Sequence, residues 1–295
     1  MKNREFPIEE VLIEAFPYVR ELRDAKIVVK MGGHAIVDRE ILEKAVQDVV
    51  FLRLVGAKPM IVHGGGPEIT EKMEKFGKKP KFIDGLRITD EETLEIAEMV
   101  LVGKINTNIV RYIVKHGGKG IGLSGEDGLL LTAKKKDKIM RDGKEKKVDL
   151  GWVGETEAVD TGILNMCIEN GYIPVISPIA IDLKGDHFNI NADTVAGDIA
   201  SATRAKKLIF LTDVPGILDN RGEVISNISL DEGKSLVNDR IIGGGMIPKL
   251  ESSIKCIESY VEKVHIIDGS KPHALLLELF TDRGVGTMIC RQANL

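Results

Sequence analysis

Short aliphatic runs that stop at glycine, each followed by a stretch with helical spacing, constrain this chain more than any other feature. The first, Lys26-Ile27-Val28-Val29-Lys30, breaks at Gly32-Gly33, and the second, Pro59-Met60-Ile61-Val62-His63, breaks at Gly64-Gly65-Gly66. Strand-like runs span 26–30, 59–63, 120–124, 129–133, 173–181, 207–212 and 264–267. Helical patterns lie among them at 39–55, 67–76, 91–116, 161–170, 192–203, 231–237 and 247–261. This alternation predicts an α/β fold around an open, mainly parallel sheet. Several runs are almost wholly apolar, so helices are expected on both faces, giving a three-layer αβα sandwich. In such a sheet, ligands bind beyond the carboxyl ends of the strands.

A chain of 295 residues with 43% hydrophobic content can bury a substantial core, as one large domain or two lobes. Its formal charge of -4 argues against nucleic acid or an anionic membrane as the main partner. Cys167, Cys256 and Cys290 are odd in number and widely spaced, which fits neither a disulfide framework nor a zinc site. A reducing, cytoplasmic setting is expected. No apolar run approaches the ~18 residues of a membrane span, and the start of the chain lacks a signal-peptide core, so the protein is expected to be soluble and unprocessed.

Two segments stand apart from the alternation. Residues 134–147 carry eight Lys/Arg against three acids, with Asp142-Gly143 as a turn signal, which predicts a solvated β-hairpin. Ahead of the first strand, Ile8, Val11, Leu12, Ala15, Phe16, Val19 and Leu22 follow helical spacing, and Pro17 is expected to bend that helix. Residues 1–24 are therefore read as an added amphipathic helix, packing either on its own subunit or on a neighbour.

The glycine clusters sit where strands turn into helices, where backbone N–H groups can close on an anion. Lys30 stands beside Gly32 and Gly33, and Lys249 closes the run Gly243-Gly244-Gly245-Met246-Ile247-Pro248-Lys249. Fixed ammonium groups beside glycine N–H donors suit a transferring phosphoryl group. No Walker loop is present, because Leu250 follows Lys249 where a metal-binding hydroxyl would stand. His63 reads as a buried structural residue rather than a base. In Asn189-Ile190-Asn191-Ala192-Asp193, Asn191 can cap a helix, and Asp193 either favours the helix dipole or faces the two lysines. Arg87 is either a carboxylate ligand or surface decoration.

Taken together, Lys30-Met31-Gly32-Gly33, His63-Gly64-Gly65-Gly66, Gly85-Leu86-Arg87, Asn189 to Asp193, Leu211 to Leu218 and Gly245 to Lys249 resemble the N-acetylglutamate kinase branch of the amino acid kinase family. The resemblance runs from about Lys26 to Met288. It implies ATP-dependent phosphorylation of the γ-carboxylate of N-acetyl-L-glutamate, the second step of arginine biosynthesis, with Mg²⁺ carried by the nucleotide phosphates rather than by a protein metal site. Lys30 and Lys249 would stabilise the transition state and Asp193 would organise both. Gly65, Gly66, Arg87 and Asn189 would bind the amino acid. Gly32, Gly33, Asp213, Val214, Pro215, Gly216, Ile217, Leu218, Ile241, Ile242 and Gly243 would line the nucleotide site. The lobes would divide at about 25–180 for the amino acid and 181–295 for the nucleotide.

The same resemblance gives the N-terminal helix a purpose, since arginine-inhibited members use such an extension to interlace dimers into a hexameric ring, a trimer of dimers. Arginine would bind near Tyr18, His273, Glu278 and Gly286. Three positions depart from the family's usual residues: Met31 and Phe188 stand where tyrosine is common, and Glu126 where lysine is common. An aminoadipate-derivative kinase, an aspartokinase or a non-catalytic arginine-binding protein of the same fold are the alternatives. A carboxylate nucleophile is already ionised at neutral pH, so no general base is expected.

Overall fold

The computed structural model describes residues 8–141, 144–219, 221–238, 242, 245–282 and 284–292. Among these, eight strands form the central sheet in the order Asn227–Ser229, Thr287–Cys290, Lys263–Asp268, Lys207–Thr212, Lys26–Met31, Lys58–His63, Ile173–Ser177 and Gly120–Ser124. Neighbouring strands run parallel, except where Thr287–Cys290 lies antiparallel to Lys263–Asp268. The expected α/β sheet is present.

Side chains alternate across each strand and build two cores. Ile27, Val29, Met31 and Ile61 pack on one face with Leu42, Val46 and Val49 of the Arg39–Leu54 helix and with Ile96, Leu101 and Ile109. Val28, Met60, Val62 and Phe210 pack on the other with Val195 and Ile199 of the Ala192–Ala202 helix and Leu250 and Ile257 of the Met246–Ser259 helix. Helices thus cover both faces, as a doubly apolar sheet requires. A smaller sheet, ordered His187–Asn189, Ile179–Ile181, Leu131–Lys135 and Gly154–Val159, sits beside the carboxyl edge of the first.

Three expected elements differ. The run 173–181 is two strands in different sheets, Ile173–Ser177 and Ile179–Ile181, because Pro178 has no N–H to continue a ladder. The run 129–133 begins later, at Leu131–Lys135, since Leu129 adopts a left-handed φ of 56° in a short turn. The helix 91–116 is continuous but not uniformly α: between Glu91–Glu98 and Thr107–Lys115, the segment Met99–Asn106 is π-helical. The basic hairpin pairs Lys138–Arg141 with Lys144–Lys147, its 142–143 turn lying outside the described residues. Helix Ile8–Leu22 runs through Pro17, burying Leu22 and exposing Ile13 and Phe16. No helix among the described residues is long and apolar enough to cross a membrane.

Candidate active site

Parallel register delivers the functional residues to one edge. Lys30 pairs with Val62 and Phe210, so the glycine loops after the Lys26–Met31 and Lys58–His63 strands lie side by side with residues 213–218 at the carboxyl end. Lys30 shares the face of Val28 and points to the layer holding the Ala192–Ala202 helix. Asn191 caps that helix, its side-chain oxygen accepting the N–H groups of Asp193 at 2.8 Å and Thr194 at 3.2 Å. The cap places Asp193 in the first turn, facing the strand.

There Asp193 joins the two lysines. Its Oδ1 lies 2.8 Å from Lys30 Nζ, and its Oδ2 accepts from Lys249 Nζ at 2.9 Å. The carboxylate is 7% exposed, so bringing it into the protein interior favours the neutral acid. Lys30 and Lys249 outweigh that burial and hold its pKa below the ordinary value. Lys249 sits at the start of the Met246–Ser259 helix, so residues more than 200 apart in sequence meet at one carboxylate. The capping role and the lysine-bridging role of this motif are both realised.

A cleft of about 280 Å³ opens beside this cluster, bounded by Lys30, Gly65, Gly66, Arg87, Asn189 and Asp193. All four residues expected to hold the amino acid line it. A Cβ at Gly32 would lie 2.3 Å from Lys30 Nζ and displace that ammonium, and a Cβ at Gly65 would lie 2.5 Å from Ile105 Cδ1. Gly33 has a φ of 57°, and a Cβ there would meet Asp213 Oδ2 at 2.1 Å. The first glycine loop and the start of the 213–218 segment are therefore in contact.

Arg87 is not surface decoration. It is buried, donates to Gly66 O at 2.9 Å and Thr70 Oγ1 at 2.8 Å, and stacks 4.8 Å from the Phe82 ring. Burial lowers its pKa from a very high starting value, so the guanidinium stays charged. The hairpin that carries it, Phe82–Ile83 with Leu86–Arg87, has only two residues per strand around Asp84-Gly85, a signal the strand reading passed over. Phe82 was missed with it, and Thr70 because a lone threonine inside the Gly66–Lys75 helix carries no motif.

Of the residues assigned to the nucleotide, Asp213, Val214 and Leu218 are exposed, whereas Ile217 is buried. Ile217 donates its N–H to Thr287 Oγ1 at 2.8 Å, so its side chain faces the core and only its backbone borders the edge. Pro215 is half-buried, Gly216 packs on Thr287, and Ile242 leans on the core. Ile241 and Gly243 lie outside the described residues.

The residues assigned to arginine do not all converge. Glu278 accepts from His265 Nδ1 and from the Val285 N–H, each at 2.6 Å, and Gly286 donates to it as well. Burial pushes the Glu278 carboxyl up, but His265 and the two backbone donors hold it below its usual value. His273 turns instead to Asp48, 2.6 Å from its Nδ1, and Tyr18 bonds Asp282. His265 was missed because a lone histidine in an apolar strand carries no outward signal. Glu126 lies near His187, whose Nδ1 is 2.8 Å from Glu98 and 3.5 Å from Glu126. The hydrogen bond to Glu98 raises the His187 pKa. Met31 and Phe188 are core residues, Phe188 lying against Trp152.

A three-layer sheet with a glycine-lined, two-lysine cluster at its carboxyl edge defines a phosphotransferase class. The amino acid kinase family matches residues 25–268, and the chain belongs to it. Within that family it is 59% identical over 291 residues to the acetylglutamate kinase of Methanococcoides burtonii, covering 97% of this chain and 96% of that one. It is 55% identical over 284 residues to the acetylglutamate kinase of Archaeoglobus fulgidus, covering 95% and 98%. Among solved structures, the N-acetylglutamate synthase of Neisseria gonorrhoeae, complexed with coenzyme A and N-acetyl-glutamate, superposes with a TM-score of 0.87 at 26% identity. That alignment covers 98% of this chain, which spans only 65% of the synthase chain.

Proposed function

We propose that the protein transfers the γ-phosphoryl group of ATP to the γ-carboxylate of N-acetyl-L-glutamate, forming N-acetyl-L-glutamyl 5-phosphate in the second step of arginine biosynthesis. The observation that carries this reading is the bridge from Lys30 through Asp193 to Lys249 at the end of the glycine-lined cleft. Relatives at 59% and 55% identity named acetylglutamate kinase support the choice of acid.

The chemistry needs two anions brought into line and their repulsion offset. Arg87 and Asn189 hold the amino acid's own carboxylate and acyl group, leaving the γ-carboxylate beside the N–H groups of Gly65 and Gly66. Lys30 and Lys249 meet the charge that grows on the transferring group, and Asp193 fixes where their tips stand. The ionised carboxylate attacks without a base, which suits a buried His63 whose pKa is lowered to about 4 by desolvation. Residues 213–218, Gly32, Gly33 and 241–243 carry the nucleotide, from the lobe of about 181–295. Mg²⁺ carried on the nucleotide phosphates would supply further charge neutralisation there. The enzyme works in the cytoplasm.

Regulation by arginine is part of the same reading. The Glu278 carboxylate, its side chain 5% exposed and held by His265 and the Val285 and Gly286 N–H groups, offers an anionic socket for a guanidinium. The exposed Ile13 and Phe16 support docking of the N-terminal helix on a neighbour, and the assembly proposed is a hexamer built as a trimer of dimers. The test is an ATP-dependent hydroxamate trap with N-acetylglutamate, N-acetylaminoadipate and aspartate, with and without arginine. Trapping with N-acetylglutamate alone is expected. Preference for either other acid overturns the substrate, and full activity in saturating arginine overturns the regulation.

A further inference from the structure

We infer that His63 is a positioning residue for the phosphoryl-transfer step, holding the Gly64–Gly65 peptide so that the Gly65 N–H faces the cleft. This rests on the reading of Gly65 and Gly66 as donors to the reacting carboxylate.

The argument starts from Asn106, the last residue of the π-helical segment. It is buried, and one hydrogen of its Nδ2 goes to Val175 O at 2.8 Å while the other is shared between Leu123 O and His63 Nε2, each at 3.3 Å. Carbonyls only accept, so the amide nitrogen must be the atom on that side, and His63 Nε2 at 3.3 Å faces an NH₂ group. A protonated Nε2 would point one donor at another, so Nε2 is the bare, accepting nitrogen. The ring's other nitrogen lies 3.0 Å from Gly64 O, again an acceptor, so Nδ1 carries the hydrogen and donates it. Both contacts select the same neutral tautomer.

The consequence passes through the peptide plane. In a trans peptide the C=O and the following N–H point in opposite directions. Gly64 O is turned inward to a histidine with 0% exposure, so the Gly65 N–H is turned outward, toward the cleft that Gly65 lines. Ile105 and Leu101 of the π-helical segment press on the same glycine, where an added Cβ would come within 2.5 Å and 2.8 Å of them. The widened turn therefore supplies both the apolar floor under the glycine loop and, through Asn106, the group that fixes the histidine. Single π turns inside helices often mark functional sites, and here the role has a named path.

Two substitutions separate the contacts, because asparagine reproduces the Nδ1 side of histidine and glutamine the Nε2 side. His63→Asn keeps a donor to Gly64 O and gives up Asn106. His63→Gln keeps the Asn106 contact and releases Gly64 O. The expected result for H63Q is a fall in kcat of about tenfold to a hundredfold with KM for both substrates nearly unchanged, as for a transition-state donor out of line. For H63N, kcat stays within about threefold of the parent even if its melting temperature is the lower of the two. Equal losses in both variants, or a larger loss in H63N, overturn the inference. A second measurement needs no folded variant: ¹⁵N-histidine NMR of the parent is expected to show a neutral Nδ1–H ring for His63 from about pH 5 to 9. An Nε2–H tautomer overturns the inference. If the parent makes no acyl phosphate, the functional reading fails while the tautomer result still decides the contact.

Discussion

Replacing Asp193 with asparagine removes one charge and leaves nearly every atom in place, so it isolates what the carboxylate does. Each ammonium is held within 3 Å of a different oxygen, at 2.8 Å for Lys30 and 2.9 Å for Lys249. Two tips bound that way stand roughly 5 Å apart, and without the carboxylate they repel by about 3 kcal/mol at an effective dielectric of about 20. That is enough to swing one lysine away from the transferring group. Loss of one preorganised charge at the transferring group costs about 10²–10³ in kcat. The expectation for Asp193→Asn is thus a loss of that size in the hydroxamate assay, with KM for N-acetylglutamate little altered. A variant within about threefold of the parent would refute the idea that the carboxylate sets the lysines.

Three other outcomes are expected. Gly65→Ala drives a methyl into Ile105 and Leu101, costing about 1–3 kcal/mol of stability and raising KM for the amino acid, as chemical melts and initial rates would show. His63 has a folded pKa of about 4 against 6.5 unfolded, lowered by burial and then by Lys30, so below the unfolded pKa the unfolded chain binds the proton first. Stability contributed by neutral His63 is intact above about pH 6.5 and falls by up to about 3 kcal/mol as pH drops toward 4, and urea melts of His63→Asn should lack that slope. Removing residues 1–24 should leave phosphorylation intact while lowering the sedimentation coefficient, and an unchanged coefficient would remove the helix from assembly.

What the sequence made legible is local. Lys30, the glycine clusters and the Asn191–Asp193 cap are each a few residues long, tied to one strand end or helix start, and hence readable from composition and spacing. That Asp193 faces the two lysines, rather than serving the helix dipole alone, was not readable, because it depends on strand parity and on a helix more than 50 residues further on. The π-helical turn was hidden for a different reason. Its residues Met99 to Asn106 have ordinary helical spacing, and the wider turn shows only in the fold, where it packs on Gly65 and sets Asn106 against the strand carbonyls. Pro178, by contrast, did announce the break between two strands, and an apolar run on either side masked it. Pairing of Glu278 with His265 rather than His273 follows from the inward parity of a buried strand, which no motif reports.

The most direct test of the account is a structure of the enzyme with N-acetylglutamate, MgADP and aluminium fluoride, a mimic of the transferring phosphoryl group. Both Lys30 Nζ and Lys249 Nζ are expected within about 3 Å of the mimic's equatorial atoms, with Asp193 still between the two lysines. A mimic bound elsewhere, or touched by neither ammonium, would contradict it.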